Sequence, residues 1–191
     1  MFNTINTIAS LIRTDPETAR KLLREFAVFY RRTLEDSADL IVFAREMEQT
    51  KRYFTFEVAR FGADRVEMEM RIDPRVEDML VPPFLLQPLV ENAVRHAMPS
   101  EGKLTIEVTG EVTGNDVIVR VCDNGVGMTE EARCNILHPE SSLGLGIAVK
   151  NVHDRICGYF GPGTHMEVES ELGKGTCVIL VLKEGALREY Q

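Results

Sequence analysis

The spacing of the hydrophobic residues changes once along this chain, and that change constrains the fold more than any other feature. From residue 1 to Gly62, apolar residues recur every three or four positions, as in helices that bury one face. Directly after Gly62, residues 65–72 alternate strictly between apolar and polar, which is typical of a half-buried strand. The sequence therefore predicts a helical segment, residues 1–62, followed by a mixed domain, residues 63–191.

Local signals divide the helical segment into three helices. Residues 14–17, Thr-Asp-Pro-Glu, form a capping box with proline in the first turn, which indicates the start of the second helix. The polar residues 36–39 end that helix, and Gly62 is a suitable residue to end the third.

The second segment contains a regular order of elements. The pattern predicts a strand at 65–72, a helix at 84–97 that Pro88 kinks or restarts, and two strands at 103–111 and 117–122. A polar segment follows at 128–142, then a helix at 145–159 and a strand pair at 165–171 and 176–183. This order predicts an α+β fold: a two-layer α/β sandwich whose mixed, mainly antiparallel sheet carries helices on one face.

Charge and cysteine usage exclude several classes of function. The 191 residues carry a net charge of −8, which argues against a broad nucleic-acid-binding surface. The four cysteines form no C-x-x-C pair, so they indicate neither a zinc site nor a disulfide framework. Cys122 and Cys177 lie in apolar runs and are predicted to be buried free thiols in a reducing cytoplasm. No apolar stretch reaches the ~18–20 residues needed to cross a bilayer, so the chain as given is expected to be cytoplasmic.

Four polar residues interrupt the otherwise apolar helix at 84–97. Glu91 and Arg95 are four positions apart, as are Asn92 and His96, so the two pairs form adjacent stripes on the helix. A solvated face with an ion pair would account for them. Because the other side of this helix must be buried on the sheet, the stripes could instead line a cleft. Their oxygens suit Mg²⁺, and the arginine and histidine suit phosphate.

Two glycine-containing segments are further candidates. Asp123 ends a strand, and Gly125 and Gly127 allow the backbone behind it to turn sharply and approach a ligand closely. The carboxylate could accept a hydrogen bond from the amino group of adenine, although a simple turn would also explain the residues. Gly144 and Gly146 open a helix, where free N–H groups favour an anion.

Two known phosphate-binding motifs do not fit these segments. The glycines at 144 and 146 lack the third glycine and the βαβ unit of a dinucleotide fingerprint. Residues 173–176, Gly-Lys-Gly-Thr, superficially resemble the end of a P-loop, but they lie between two strands with no helix after them. A hairpin turn explains them better.

Together, the order and placement of these segments are far more specific than any one of them. A helix with Glu-Asn-Ala-x-Arg-His, a strand-end Asp-x-Gly-x-Gly, a polar lid, a helix-opening Gly-Leu-Gly and a hairpin Gly-Thr resemble the N, G1, G2 and G-T boxes of the GHKL ATP-binding superfamily. Gyrase, MutL and histidine kinases share this fold. Within it, residues 81–96 and 51–62 resemble LytS/YehU-type sensor histidine kinases.

The resemblance implies ATP and Mg²⁺ as cofactors. Asn92 would coordinate the Mg²⁺ that bridges the phosphates. Asp123 would bind the amino group of adenine, with Gly125 and Gly127 shaping the pocket and Thr176 assisting.

The remaining predicted site residues belong to the phosphate side. Gly144, Leu145 and Gly146 would present N–H groups to phosphate, and Arg95 and His96 would flank the phosphates or the ribose. Residues 129–142 would form a short, mobile lid. Glu91 occupies the position of the general base in the hydrolysing relatives, and it is predicted to be catalytic together with Asn92.

The resemblance also predicts what this chain lacks. In this type of kinase the phosphorylated histidine lies in an Asn-Pro-His-Phe-Leu-Phe-Asn segment, whose last two residues align with Phe2 and Asn3. The acceptor would therefore fall just before residue 1, so we expect a kinase core that does not phosphorylate itself. The four histidines present cannot replace the acceptor by position: His96, His138, His153 and His165.

The implied partners follow from the same resemblance. The γ-phosphate of ATP would pass to a histidine and then to a response regulator protein. The N-terminal helices would form a homodimer, and missing upstream segments would anchor the intact protein in the bacterial inner membrane. No nucleic-acid partner is expected.

Other functions remain open on the sequence. A GHKL-type ATP hydrolase or an anti-sigma-like serine kinase has the same fold. Glu91 keeps hydrolysis possible, whereas the helical segment of ~60 residues argues against the anti-sigma type. A non-enzymatic alternative is a dimerisation module fused to a degenerate nucleotide fold. Four intact residues argue against it: Asn92, Asp123, Gly127 and Gly146.

Overall fold

A computed structural model of the protein describes residues 2–35, 39–136 and 145–183. Numbered in chain order, its helices are α1 (Phe2–Thr14), α2 (Pro16–Glu35), α3 (Phe43–Phe61), α4 (Pro74–Glu77), α5 (Gln87–His96), α6 (Glu130–Asn135) and α7 (Leu145–Phe160). Its strands are β1 (Ile41–Val42), β2 (Val66–Ile72), β3 (Leu80–Val81), β4 (Leu104–Thr113), β5 (Asp116–Asp123), β6 (His165–Glu171) and β7 (Gly175–Leu182).

Five strands form the main sheet in the order β2-β4-β5-β7-β6. Strand β2 runs parallel to β4, and every other pairing is antiparallel. The predicted mixed, mainly antiparallel sheet is therefore confirmed. The parallel pair is possible because helix α5 lies in the connection between β2 and β4 and returns the chain to the same end of the sheet.

The main core lies between one face of this sheet and helices α5 and α7. Alternate residues of the central strands point into it, as the two-residue period requires, and Ile106, Val119 and Leu180 are fully buried. Val90 of α5 and Ile156 of α7 cover them from the helical layer. The two-layer α/β sandwich is thus as predicted.

Helix α3 contributes to two hydrophobic clusters. Phe43, Met47 and Phe54 belong to the main core, whereas Phe56 packs in a smaller cluster with Ile8 of α1 and Leu22 of α2. The last of the three N-terminal helices is therefore packed against the sheet domain as well as against its own neighbours. No helix in the described parts of the chain combines the length and apolar character that a membrane span requires.

The helix at the centre of the site begins later than the periodicity predicts. Helix α5 starts at Gln87 rather than at residue 84, because Phe84 adopts a left-handed backbone conformation with φ of 62° that a helix cannot contain. Pro88 therefore occupies the first turn of α5, where its missing N–H leaves no hydrogen bond unmade, and it does not kink the helix.

The expectation of free thiols at Cys122 and Cys177 is wrong in this structure. The antiparallel register of β5 and β7 places the two cysteines directly opposite each other, and they form a disulfide. The sequence separation of 55 residues gave no indication of this pairing. Cys134 and Cys157 are free.

Candidate functional site

A cleft lies between the end of α5 and the adjoining ends of β5 and β7. Its volume is about 430 Å³, part of which is open to solvent. The apolar wall consists of core residues such as Leu89 and Val121. The cleft is lined by Leu89, Asn92, Ala93, His96, Ala97, Val121, Asp123, Gly127, Met128, Thr176 and Val178.

The structure therefore brings together five of the predicted site residues. Asn92 and His96 reach the cleft from one stripe of α5, because residues four apart lie on the same side of a helix. Asp123, Gly127 and Thr176 reach it from the sheet side. These residues span 85 positions of sequence, from 92 to 176, so only the fold makes them neighbours.

Asp123 lies at the bottom of the cleft with its carboxylate fixed by the backbone. Its Oδ1 accepts hydrogen bonds from the N–H of Gly125 at 2.9 Å and the N–H of Thr176 at 3.2 Å. Burial raises the pKa of this carboxyl above its usual value, and the two backbone hydrogen bonds oppose that shift. With one oxygen held by these two donors, the carboxylate can offer its other oxygen to a donor on a ligand.

Gly125 and Gly127 allow the loop after Asp123 to pass between two neighbouring segments. A Cβ on Gly125 would lie 2.0 Å from the carbonyl oxygen of Ala97, at the end of α5. A Cβ on Gly127, whose φ is 65°, would lie 2.0 Å from the carbonyl oxygen of Glu171 at the end of β6. Close approach of these backbone segments therefore requires both glycines, whereas the sequence predicted a close approach to a ligand.

Ser170 is a site residue that sequence reasoning missed. Its hydroxyl donates to the carbonyl oxygen of Gly175 at 2.9 Å, accepts from the N–H of Met128 at 2.8 Å and lies 2.9 Å from the hydroxyl of Thr176. It thereby joins the loop after Asp123 to the β6–β7 hairpin. A serine in a strand of alternating glutamates carries no local signal for this role.

Glu91 and Arg95 lie on the neighbouring stripe of α5, which faces α3. The side-chain amide of Gln87 donates to Glu91 at 2.8 Å. Burial raises the pKa of the Tyr53 hydroxyl on α3; Glu57 and Glu91 raise it further, while Arg95 lowers it. The sequence predicted two adjacent stripes correctly, and the packing of α3 decides that only one of them lines the cleft.

Arg95 influences the cleft electrostatically. Burial, and then the nearby charge of Arg95, lower the pKa of His96 below its usual value of 6.5. At neutral pH the imidazole is therefore mainly uncharged, and it can offer a ligand a hydrogen bond rather than a positive charge.

Replacing Arg95 with alanine is expected to raise the pKa of His96, because a neighbouring cation disfavours the protonated ring. The value should stay below 6.5, since burial remains and is the larger cause. Titration of the ring protons by NMR, assigned with a His96→Gln variant, measures the change. Arg120→Ala is the control, because Arg120 pairs with Glu111, and this variant should leave the pKa of His96 unchanged.

The phosphate side of the predicted site is only partly described. Gly144 and residues 137–142 of the predicted lid lie outside the described residues. Leu145 and Gly146 form the start of α7, as predicted for a helix-opening segment. Within the first part of the predicted lid, residues 130–135 form α6, capped by the hydroxyl of Thr129 and joined to β6 by a hydrogen bond from Arg133 to the carbonyl oxygen of Val168.

Two family profiles match the chain in adjacent regions. The family described as "Histidine kinase-, DNA gyrase B-, and HSP90-like ATPase" matches residues 84–186, which include the whole cleft. The family described as "Histidine kinase" matches residues 1–66, which include α1, α2 and α3.

Solved structures of histidine kinases have the same fold. The catalytic domain of the histidine kinase ThkA superposes with a TM-score of 0.59 at 18% identity, covering 76% of this chain and 94% of that one. The histidine kinase domain of the blue-light-activated kinase EL346 from Erythrobacter litoralis superposes with a TM-score of 0.56 at 19% identity, covering 92% of this chain and 85% of that one.

Curated relatives match at higher identity. The sensor protein LytS of Bacillus cereus is 38% identical over 196 aligned positions, covering 100% of this chain and 33% of that protein. The sensor histidine kinase/phosphatase LytS of Staphylococcus aureus is 36% identical over 176 positions, covering 88% of this chain and 30% of that protein. The chain thus spans about a third of the length of these relatives. It belongs to the histidine kinase-, DNA gyrase B- and HSP90-like ATPase family and is a homologue of the LytS sensor proteins.

Proposed function

We propose that this chain is the ATP-binding catalytic core of a two-component sensor histidine kinase. The intact protein would transfer the γ-phosphate of Mg·ATP to a histidine and from there to a response regulator. The observation that carries this proposal is the convergence of Asn92 and His96 from α5 with Asp123 and Thr176 from the sheet on one cleft. Phosphoryl transfer depends mainly on positioning and charge neutralisation; these residues would supply the positioning, and Mg²⁺ would supply the charge neutralisation.

The adenine end of the nucleotide would lie against Asp123. Its carboxylate would accept a hydrogen bond from the amino group of adenine, while guanine would present a carbonyl oxygen there and be repelled. Gly125 and Gly127 would keep the loop close enough for this contact, and Thr176 would assist through its hydroxyl, which Ser170 orients.

The phosphate end would involve α5 and the start of α7. Asn92 would contribute one oxygen to Mg²⁺, with the phosphates and water as the other ligands, because Mg²⁺ in nucleotide sites is held largely by phosphates. The described residues contain no group of three or more histidine, cysteine or acidic side chains that could hold a metal, which fits a metal delivered with ATP. Gly144, Leu145 and Gly146 would provide N–H groups, and His96 would flank the phosphates or ribose, whereas Arg95, on the stripe that faces α3, would act on the site through its charge.

The position of Glu91 favours a kinase over a hydrolase. A general base for hydrolysis must reach a water molecule beside the γ-phosphate. Glu91 instead receives a hydrogen bond from Gln87 and lies on the stripe of α5 that faces Tyr53 of α3. We therefore assign Glu91 to the contact with α3 in this conformation.

We propose that residues 1–62 form a dimerisation segment and residues 63–191 the ATP-binding domain. The matches of the two family profiles, 1–66 and 84–186, support this division. Four apolar side chains of α1 and α2 remain 38–59% exposed and could form a homodimer contact: Ile5, Ile12, Leu23 and Val28. Analytical ultracentrifugation tests it: a dimer is expected, and a monomer at all concentrations would contradict it.

The location of the intact kinase is also a proposal. Its relatives are sensor proteins about three times the length of this chain. We propose that segments outside this sequence anchor the intact protein in the bacterial inner membrane, with the present chain on the cytoplasmic side where ATP is available.

Nucleotide titration followed by a phosphate assay tests the proposed function. In calorimetry, the chain should bind Mg·ATP, bind ATP more weakly when EDTA removes Mg²⁺, and bind Mg·GTP more weakly than Mg·ATP. Incubation with γ-labelled ATP should give neither steady phosphate release nor a labelled histidine on this chain. Steady phosphate release would favour the ATP hydrolase. A labelled serine on an added protein would favour the serine kinase, and absence of nucleotide binding would favour the degenerate nucleotide fold.

A further inference from the structure

A buried carboxylate on α3 contacts the start of the helix that carries Asn92. Glu46 has no solvent exposure. Its Oε1 accepts the N–H of Phe84 at 2.6 Å, and its Oε2 accepts the N–H groups of Leu85 at 2.8 Å and Leu86 at 3.0 Å. One side chain thus satisfies three consecutive backbone donors that lie 38–40 residues away in sequence.

Leu86 occupies the cap position of α5, and Phe84 and Leu85 lie in the turn directly before it. The residue at the cap position of α5, Leu86, provides no side-chain cap of its own. Glu46 instead holds, from another helix, the backbone that leads into α5, and its carboxylate lies near the positive end of the α5 dipole. Burial raises the pKa of Glu46, while the three backbone hydrogen bonds and the charge of Arg155 act in the opposite direction.

The backbone at this point adopts a conformation that needs support. Phe84 has a φ of 62°, which is unfavourable for a residue with a bulky side chain, and such conformations persist where their surroundings hold them. Glu46 holds the N–H of Phe84, and Arg155 of α7 donates to the carbonyl oxygens of Phe84 at 3.2 Å and Pro83 at 2.5 Å. Helices α3 and α7 therefore fix the entry to α5 from both sides.

We infer that Glu46 is a positioning residue for the Mg·ATP site. It acts by holding the backbone of residues 84–86, at the entry to α5, and so directing Asn92, about 9 Å further along the helix axis, into the cleft. This inference rests on the proposed function, because it gives Asn92 its role toward Mg²⁺. It also makes the geometry of the nucleotide site depend on where the third helix of the N-terminal segment lies.

A double-mutant cycle on the Mg²⁺ dependence of ATP binding tests the inference. ATP affinity is measured by calorimetry, with Mg²⁺ and with EDTA, in the unchanged chain and in Glu46→Gln, Asn92→Ala and the double variant. Glutamine keeps the shape of the side chain, but its amide N–H group would face backbone N–H groups instead of accepting hydrogen bonds from them. We therefore expect the gain in ATP affinity that Mg²⁺ gives to fall at least ~10-fold in Glu46→Gln. Because Glu46 acts through Asn92, adding Glu46→Gln to Asn92→Ala should change the gain by less than ~2-fold.

A matched control and a milder variant complete the design. Glu57→Gln makes the same substitution at another buried glutamate of α3, which pairs with Arg60, and it should keep the full Mg²⁺ gain. If circular dichroism shows that Glu46→Gln does not fold, the Mg²⁺ gain is measured in Glu46→Asp and Arg155→Gln instead. Aspartate is shorter by one methylene and cannot keep all three hydrogen bonds, so part of the gain should be lost.

Two results would overturn the inference. The first is an unchanged Mg²⁺ gain in Glu46→Gln, or in both milder variants, because an equal loss of affinity with Mg²⁺ and with EDTA indicates a general structural role. The second is additivity of Glu46→Gln and Asn92→Ala. Failure of the proposed function is recognised separately, because the unchanged chain would then bind no ATP or show no effect of Mg²⁺.

Discussion

Replacing Asp123 with asparagine is expected to weaken Mg·ATP binding by at least ~100-fold while leaving the fold intact. The oxygen of asparagine can still accept the N–H groups of Gly125 and Thr176, which hold the present carboxylate at 2.9 and 3.2 Å. Its amide nitrogen would then point into the cleft and meet the amino group of adenine, so two donors would face each other. Calorimetric titration with Mg·ATP measures the loss.

The same substitution should not reduce stability at neutral pH. Because burial raises the pKa of Asp123, its ionised form is disfavoured in the folded protein. A raised carboxyl pKa contributes stability that is fully present below the unfolded-state pKa and is lost as the pH rises through the folded-state pKa. At pH 7 we therefore expect the free energy of unfolding of Asp123→Asn to equal or exceed that of the unchanged chain. This difference should shrink as the pH falls into the acid range.

Asp116→Asn is the matched control, because it makes the same change at the other end of β5, where Asp116 pairs with Lys183. It should leave ATP affinity unchanged. Asp123→Asn should also reduce the preference for ATP over GTP, since its amide can donate to the carbonyl oxygen of guanine. ATP affinity within ~2-fold of the unchanged chain would remove Asp123 from the adenine contact.

Replacing Gly127 with alanine is expected to lower both stability and nucleotide affinity. The added Cβ would lie 2.0 Å from the carbonyl oxygen and 2.8 Å from the carbonyl carbon of Glu171, and these backbone atoms cannot move without shifting the β6–β7 hairpin. That hairpin also holds Thr176 and Ser170 at the cleft. Urea unfolding and calorimetry measure the two effects.

Gly114 offers a matched control in the same backbone conformation. Its φ is 63°, against 65° for Gly127, and a Cβ there would meet no atom within 4 Å. Gly114→Ala therefore reports only the conformational penalty of roughly 1 kcal/mol for alanine at positive φ. Gly127→Ala should lose at least ~2 kcal/mol more and weaken Mg·ATP binding at least ~10-fold. Equal losses in the two variants would show that the close approach to Glu171 is unimportant.

Much of the fold was readable from the sequence because it rests on local patterns. The two-residue period at 65–72 predicted β2, and Gly62 and the capping box at 14–17 predicted helix boundaries within a residue or two. The start of α5 was misplaced, because the left-handed conformation of Phe84 is held by Glu46 and Arg155, which are distant in sequence. The disulfide between Cys122 and Cys177 was missed for the same reason.

The candidate site divides in the same way. A simple turn would also explain Asp123, Gly125 and Gly127, and they became candidates only through their place in the order of segments. Asn92 and His96 were predicted to lie together because their spacing places them on one stripe. Ser170 was not identifiable, since its three contacts come from a loop and a hairpin that meet only after folding.

The amino-acid sequence by itself determined that helices precede an α/β sandwich, and it predicted the boundary at residue 62 and the residues that would hold Mg·ATP. These features depend on periodicity and on short motifs, because the backbone conformation they favour is set by residues that are neighbours in the sequence. The tertiary structure alone decided which stripe of α5 faces the cleft, turning Asn92 and His96 inward and Glu91 toward α3. It also decided that Glu46 holds the entry to that helix, because a buried carboxylate accepts hydrogen bonds from the unpaired backbone donors that the packing of distant segments brings to it.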